Sequence, residues 1–388
     1  MQTYIKRSLK EKILEYMSIF PAVAILGPRQ CGKSTLAQLI GASNKNFIYL
    51  DLENPSDIKK IDDASLFFDI NPNKTICLDE VQNRSDIFPE LRGIIDKNRQ
   101  NGRILLLGSA SQELINTSSE SLAGRIGYIE LTPFTINEII DNNKTKQTIH
   151  WLRGGFPPAF LSKDDKSAFI WLKSYLRSYI ERDLNKGSNI IPILTIQRLL
   201  QMLANNQGQL FNSSKISASL GISYNTVRNY VDFFEKSFLV RVLQPYKQNL
   251  NKRLTKSPKI YIRDSGLLHS ILEIDNINQL FGHPVFGSSW ENYAMENIIN
   301  QLTEWRPRFY RTATGSEVDL ILTKGNKMMA FEFKTSTAPD ITKETHVAIN
   351  DLNIKELFVV APVNKSWQMS KNIKVGNILN AIEYAHQF

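Results

Sequence analysis

The run Gly27-Pro28-Arg29-Gln30-Cys31-Gly32-Lys33-Ser34-Thr35 fits the pattern G-x-x-x-x-G-K-[ST] without a gap. It lies between an apolar stretch, Ala22–Leu26, and a helix-forming stretch that starts at Thr35. Glycines at both ends let the backbone curl, so that peptide N–H groups and the start of a helix surround phosphate oxygens. Lys33 then reaches the β and γ oxygens, and the Ser34 hydroxyl ligates Mg²⁺. Further on, Thr75-Ile76-Cys77-Leu78-Asp79-Glu80 is an apolar run that closes on two carboxylates. Asp79 would hold Mg²⁺, directly or through water, and Glu80 would orient or deprotonate an attacking water. Together these spacings imply a site for Mg²⁺ and a nucleoside triphosphate.

Two further residues belong to the same chemistry. Ser109, in Gly108-Ser109-Ala110-Ser111, would either position water beside the γ-phosphate or cap the helix that follows. Arg125, in Leu122-Ala123-Gly124-Arg125, carries a permanently charged guanidinium. It suits a transferring phosphoryl group in its own or a neighbouring subunit, and equally suits a plain ion pair.

A second constellation lies near the carboxyl end. Asp319 with Glu332-Phe333-Lys334 fits a D…E-x-K pattern, and Glu291 falls on a helix expected over Ser289–Leu302. Facing strands would join the carboxylates, and strand alternation puts Glu332 and Lys334 on one face. Asp319 and Glu332, with Glu291, would bind Mg²⁺ as hard oxygen ligands, and Lys334 would activate water for phosphodiester hydrolysis. Solvated strand faces produce the same pattern by chance. None of the five histidines has metal-ligand spacing, so no zinc site is expected.

The elements that position these groups read as α/β. An amphipathic helix is expected over Ile5–Tyr16, then strands at Ala22–Leu26, Phe47–Leu50, Thr75–Leu78, Arg103–Leu107 and Tyr128–Leu131. Continuous apolar strands separated by helices require a parallel sheet covered on both faces. The middle of the chain turns helical. Asn212–Tyr230 reads as a short helix, a tight turn at Gly221 and a second helix capped by Ser223, the helix-turn-helix pattern. The second helix would present Tyr224, Asn225, Arg228 and Asn229 outward for DNA. Strand Phe238–Leu243 and a basic hairpin over Lys247–Lys259 would complete a winged helix. The expected domains are 1–150, 151–260 and 261–388.

Charge follows that division. The net +9 is uneven: residues 1–150 balance, 151–260 hold 17 basic against 6 acidic residues, and 261–388 are slightly acidic. A basic middle third favours a polyanion partner, most often nucleic acid. Few of its charges lie on the recognition helix, so backbone contact without strong sequence preference is expected. Hydrophobic content of 42% and apolar runs far shorter than a membrane span point to a globular chain with no membrane partner. Two lone cysteines and no secretory signal point to a reducing cytoplasm.

The motifs at 27–34, 78–82 (Leu-Asp-Glu-Val-Gln), 107–111, 121–125 and 131–134 (Leu-Thr-Pro-Phe) resemble those of a prokaryotic group of AAA+ ATPases. So do later runs at 154–157, 179–184 and 259–267. The resemblance implies that Asp79-Glu80 is the Walker B element, Ser109 the sensor position and Arg125 a candidate arginine finger. It further implies a carboxyl-terminal domain of unknown function (4143) that looks restriction-endonuclease-like. The architecture expected is thus a P-loop NTPase domain with a parallel sheet, a helical and winged-helix module, and an α/β nuclease-like domain. Three functions compete: an ATPase that remodels or translocates on DNA, an ATP-regulated Mg²⁺-dependent nuclease, and a nucleotide-switched protein-binding module of a defence-type system. A trans-acting Arg125 would require a homo-oligomer.

Overall fold

The structure, a computed structural model, describes residues 4–42, 44–109, 118, 120–140, 144–183, 192–247 and 254–388. Ala110 and Ser111, Leu184 and the hairpin tip at 248–253 fall outside the described residues. The chain divides into two compact units, Met1–Phe134 with Lys236–Phe238, and Thr135–Glu235 with Leu239–Phe388.

The first unit is built on five strands: β1 (Ala22–Leu26), β2 (Phe47–Asp51), β3 (Thr75–Asp79), β4 (Ile104–Gly108) and β5 (Ile126–Glu130). All pair parallel, in the order β2-β3-β4-β1-β5. Alternation explains why the strands are apolar throughout. Ala22, Ala24, Ile76, Leu78, Ile104 and Leu106 feed one core, with Phe88, Leu91 and Ile95 of the helix Phe88–Lys97. Val23, Ile25, Cys77, Leu105 and Leu107 feed the other, with Leu36, Ala37 and Ile40 of the helix Lys33–Ala42. A strand buried on both faces has no polar side to show. The opening helix runs from Lys10 to Ile19 rather than from Ile5, because Arg7 is drawn into the phosphate loop.

The second unit joins the middle and last thirds of the sequence over one core that runs from Ile136 to Ala385. Helices Ser213–Leu220 and Tyr224–Lys236 flank Gly221, which ends the first with φ +65°. The Asn212 side chain caps the first helix by accepting from the Lys215 N–H. The second is capped by Ser223, which accepts from the Thr226 N–H. Val227, Val231 and Phe234 pack inward. A two-stranded antiparallel ribbon follows, β6 (Val240–Leu243) with β7 (Lys259–Ile262).

The last six strands are β8 (Arg306–Arg311), β9 (Glu317–Lys324), β10 (Lys327–Phe333), β11 (Leu357–Val360), β12 (Trp367–Ser370) and β13 (Ile373–Gly376). They form a mixed sheet in the order β12-β13-β11-β10-β9-β8. β8, β9 and β10 run antiparallel, while β10 pairs parallel with β11. The helix Phe286–Gln301 is buried along most of its length, including Trp290, Tyr293 and Ile298.

Candidate functional site

Strand register fixes what meets at the carboxyl edge of the first sheet. Leu26 pairs with Gly108, and Leu78 with Leu106. Gly27, Asp79-Glu80 and Ser109 therefore leave the sheet at the same edge, where open α/β sheets bind ligands.

The phosphate loop is shaped by close contacts. A Cβ on Gly27 would lie 2.1 Å from the Leu131 carbonyl oxygen, and Gly32 turns with φ +101°. Both positions need glycine. Buried Arg7 donates from Nη1 to the Cys31 carbonyl (2.7 Å) and from Nη2 to the Thr132 carbonyl (2.5 Å). Its guanidinium also lies over the Phe134 ring. Arg7 thus ties the loop to the segment after β5. Nothing in its sequence context marked it, since a lone arginine before a helix has no spacing to read.

Lys33 is buried, and its ammonium donates to the carbonyls of Gly27 (3.0 Å) and Pro28 (2.9 Å). Among the described residues no carboxylate pairs with it. A buried ammonium at a helix start, held only by neutral carbonyls, lacks a counter-ion that phosphate supplies. The loop residues therefore fit a nucleotide. Ser34 and Thr35 open the helix behind it.

Asp79 ends β3 and is 2% exposed. Its Oδ1 accepts the Glu80 N–H (2.8 Å), and its Oδ2 accepts the Tyr49 phenol from neighbouring β2. Ser34 lies close enough to act on the same phenol. The two expected Mg²⁺ ligands are thus brought together through a tyrosine that sequence reasoning missed. Burial and then Asp79 push the Tyr49 phenol well above its ordinary value, so it stays a donor. Ser34 and Asp79 offer the hard oxygens that Mg²⁺ prefers. Glu80 adopts a left-handed backbone, φ +53°, and its carboxylate accepts from the Gln82 amide. Burial pushes the thiols of Cys31 and Cys77 up, which leaves both as inert core groups.

Arg125 stands elsewhere. Its carbonyl accepts from the N–H of Ala22 at the amino edge of the sheet. The five residues of β1 put about 16 Å between that edge and Gly27. Its guanidinium makes a fork with Asp96, Nε to Oδ1 at 2.7 Å and Nη2 to Oδ2 at 3.0 Å. Arg125 therefore does not reach the phosphate loop of its own subunit, which corrects one of the two roles left open by its sequence.

The D…E-x-K residues do converge. The Phe333 N–H donates to Asp319 Oδ2 (3.0 Å), and Lys334 Nζ donates to Glu332 Oε1 (2.9 Å). Glu291, on the buried helix, accepts from the Tyr261 phenol (2.6 Å). In their midst stands Lys259 of β7, 3% exposed. Its Nζ lies 2.7 Å from Glu317 Oε1, 3.7 Å from Glu291 Oε1 and 3.9 Å from Asp319 Oδ1. Burial raises Glu291 to about 7 and Glu332 to about 8, the latter pushed further by Asp319. Burial alone would lower the Lys259 ammonium, but Glu291, Asp319 and Glu317 together hold it above its ordinary value. Among the described residues no group of three or more His, Cys, Asp or Glu side chains is disposed to hold a metal ion. Of the three expected metal ligands, Asp319 and Glu291 face the Lys259 ammonium, while Glu332 pairs with Lys334.

Tyr224, Asn225, Arg228 and Asn229 are all exposed on the helix Tyr224–Lys236. The Arg228 guanidinium donates to the Tyr224 hydroxyl (3.1 Å) and lies over its ring.

Family models match three stretches of the chain. Residues 20–140 match an AAA domain, 145–278 a domain of unknown function (DUF8612) and 286–381 a domain of unknown function (DUF4143). An uncharacterized protein of Mycobacterium tuberculosis is 36% identical over 353 residues, 91% of this chain and 79% of that protein. The chain belongs to this family of AAA ATPases with a carboxyl-terminal DUF4143 domain. An uncharacterized Haemophilus influenzae protein is 24% identical over 92% of this chain and 90% of its own length. A Walker-type ATPase of Pyrococcus abyssi shares the fold, with a TM-score of 0.50 at 14% identity over 69% of this chain and 96% of that one. In this AAA family member the parallel sheet is that of a P-loop NTPase. No helix among the described residues is long and apolar enough to cross a membrane.

Proposed function

We propose that this chain is a Mg²⁺-dependent ATPase whose nucleotide cycle governs a DNA-contacting module in residues 151–260. The observation that carries the first half is the buried, counter-ion-free Lys33 beside Ser34 and Asp79. In the reaction, water attacks the γ-phosphorus in line. Glu80 accepts the water's proton, and the bond to the β–γ bridging oxygen breaks to release ADP. Lys33 donates to the β and γ oxygens, and Ser109, at the end of β4, faces the same edge. Ser34 and Asp79 would hold Mg²⁺, which would supply positive charge to the phosphates. The Gln82 amide donates to Glu80 Oε2, which orients the carboxylate that accepts the proton.

The second half rests on Tyr224, Asn225, Arg228 and Asn229, exposed along one helix that follows a glycine turn, within the stretch that carries the chain's excess positive charge. Lysine and arginine scattered around that helix favour phosphate contact over base reading, and phosphate contact weakens steeply with salt. Steady-state ATPase assays with and without duplex and branched DNA test the pair. Stimulation that fades as salt rises is expected. An unchanged rate, with no gel shift at low salt, rejects the DNA half.

A further inference from the structure

We propose that the ammonium of Lys259 is the resident cation among Glu317, Glu291 and Asp319, beside Glu332, and closes this cluster to divalent metal. The D…E-x-K pattern implies a metal at this place, and the side chains of that pattern are assembled. The disagreement lies in what fills the space among them.

Lys259 comes from the ribbon strand β7, not from the sheet that carries the pattern, and it points its Nζ among carboxylates from β9 and the helix Phe286–Gln301. Its separations of 2.7, 3.7 and 3.9 Å are those of an ammonium among carboxylates. Direct ligation of Mg²⁺ or Ca²⁺ needs oxygens at about 2.0–2.6 Å. The stem of Lys259 is sealed as well, with the ammonium 5.4 Å from the centre of the Phe309 ring. Two residues on, Tyr261 reaches the same carboxylate, Glu291, from the same strand. One strand thus delivers both a cation and a hydrogen-bond donor to the cluster.

Three of the six carboxylate oxygens of Glu291, Asp319 and Glu332 accept hydrogen bonds. Asp319 Oδ2 takes the Phe333 N–H, Glu291 Oε1 takes the Tyr261 phenol, and Glu332 Oε1 takes Lys334. Glu332 Oε2 is buried and has no hydrogen-bond partner among the described residues. Asp319 and Glu291 are the carboxylates that act on Glu332, so this free oxygen belongs to the same acidic space. An orphaned buried oxygen is what a cation-binding pocket leaves when a monovalent tenant cannot satisfy every ligand. Lys259 offers one ammonium where the carboxylates could accept more charge. Removing that ammonium without replacing its charge should open the pocket to a divalent ion. This holds whatever happens at the phosphate loop.

The test uses the full-length, nucleotide-free chain carrying Asp79→Asn, which removes the metal ligand of the phosphate loop. Mn²⁺ binding is followed by paramagnetic resonance and calorimetry, and thermal melts report folding. The parent should bind no Mn²⁺ that Glu332→Gln removes. Lys259→Met should gain a single Mn²⁺ site, at least about tenfold tighter than any in the parent, and Mn²⁺ should raise its melting temperature. Adding Glu332→Gln to Lys259→Met should abolish that site, and Lys259→Arg, which keeps the charge, should bind none. A folded Lys259→Met that takes up no ion overturns the proposal. Should Lys259→Met fail to fold, the parent alone decides. Mn²⁺ binding lost on Glu332→Gln would show that the lysine is not the tenant, and binding unaffected by it supports the proposal.

Discussion

The phenol of Tyr49 on β2 donates a hydrogen bond to Asp79 Oδ2 on β3, and Ser34 lies close to the same phenol. The tyrosine therefore sits between the two side chains that would share Mg²⁺, and it draws charge from the carboxylate oxygen a cation would use. Tyr49→Phe should leave ATP binding in EDTA unchanged while lowering the Mg²⁺ concentration for half-maximal nucleotide binding by about tenfold, the low end for one hydrogen bond to a charged group. Calorimetric titration with and without Mg²⁺ separates the two effects. Weaker Mg²⁺ dependence would mean that the phenol supports the metal instead.

Arg7 makes two buried hydrogen bonds to carbonyls, one in the phosphate loop and one beyond β5. Replacing it with alanine strips both acceptors and leaves them buried. Arg7→Ala should cost about 3 kcal/mol of stability. It should also weaken ATP binding more than it weakens folding of the second unit, as hydrogen exchange resolved by unit would show.

The contrast between Arg7 and Lys33 says what the sequence reveals and what it hides. Lys33, Ser34, Asp79 and Glu80 were legible because phosphate chemistry demands fixed spacings at strand ends, and the strands are apolar because both faces are covered. Arg7 and Tyr49 act through folded proximity: Arg7 touches residues 24 and 125 positions away, and Tyr49 meets Asp79 only because β2 and β3 pair. The same limit applies to Asp319 and Glu332. Their pattern was visible, but the lysine that enters from β7 lies 60 residues earlier than Asp319 in a basic stretch where it looked like one more surface charge.

Arg125 is ion-paired with Asp96 at the amino edge of the sheet, with side-chain exposures of 22% and 44%. Solvent screens a pair so exposed, so Arg125→Ala should barely change the melting temperature. If the guanidinium serves a neighbouring subunit, Arg125→Ala should be inactive alone. Mixing it with Lys33→Ala, also inactive alone, should restore ATPase activity in mixed assemblies, because each supplies what the other lacks. No recovery on mixing would leave Arg125 a structural residue.

His269 is fully enclosed, with Nδ1 on the Leu152 carbonyl (2.9 Å) and Nε2 on the Ser289 hydroxyl (2.8 Å). Burial lowers it from 6.5 to about 4. A folded value below the unfolded one means that the stability tied to the neutral ring is complete above pH 6.5 and is lost as pH falls through about 4. That loss is on the order of 3 kcal/mol. His269→Asn should be less stable at pH 7 but should lose less stability between pH 6.5 and 4, as denaturant melts across that window would show. Asp264, whose carboxyl burial raises to about 6, contributes with the opposite sign in both proteins and cancels in the comparison.

The central claim is that the first unit binds Mg·ATP and hydrolyses it through Lys33 and Glu80. The direct test is phosphate release by the purified chain, measured beside ATP binding for wild type, Lys33→Ala and Glu80→Gln. The wild type should turn over ATP, Lys33→Ala should neither bind nor hydrolyse it, and Glu80→Gln should bind normally while losing about two orders of magnitude in rate. A folded wild-type chain that takes up no ATP, or a Glu80→Gln variant that hydrolyses it at the wild-type rate, would contradict the account.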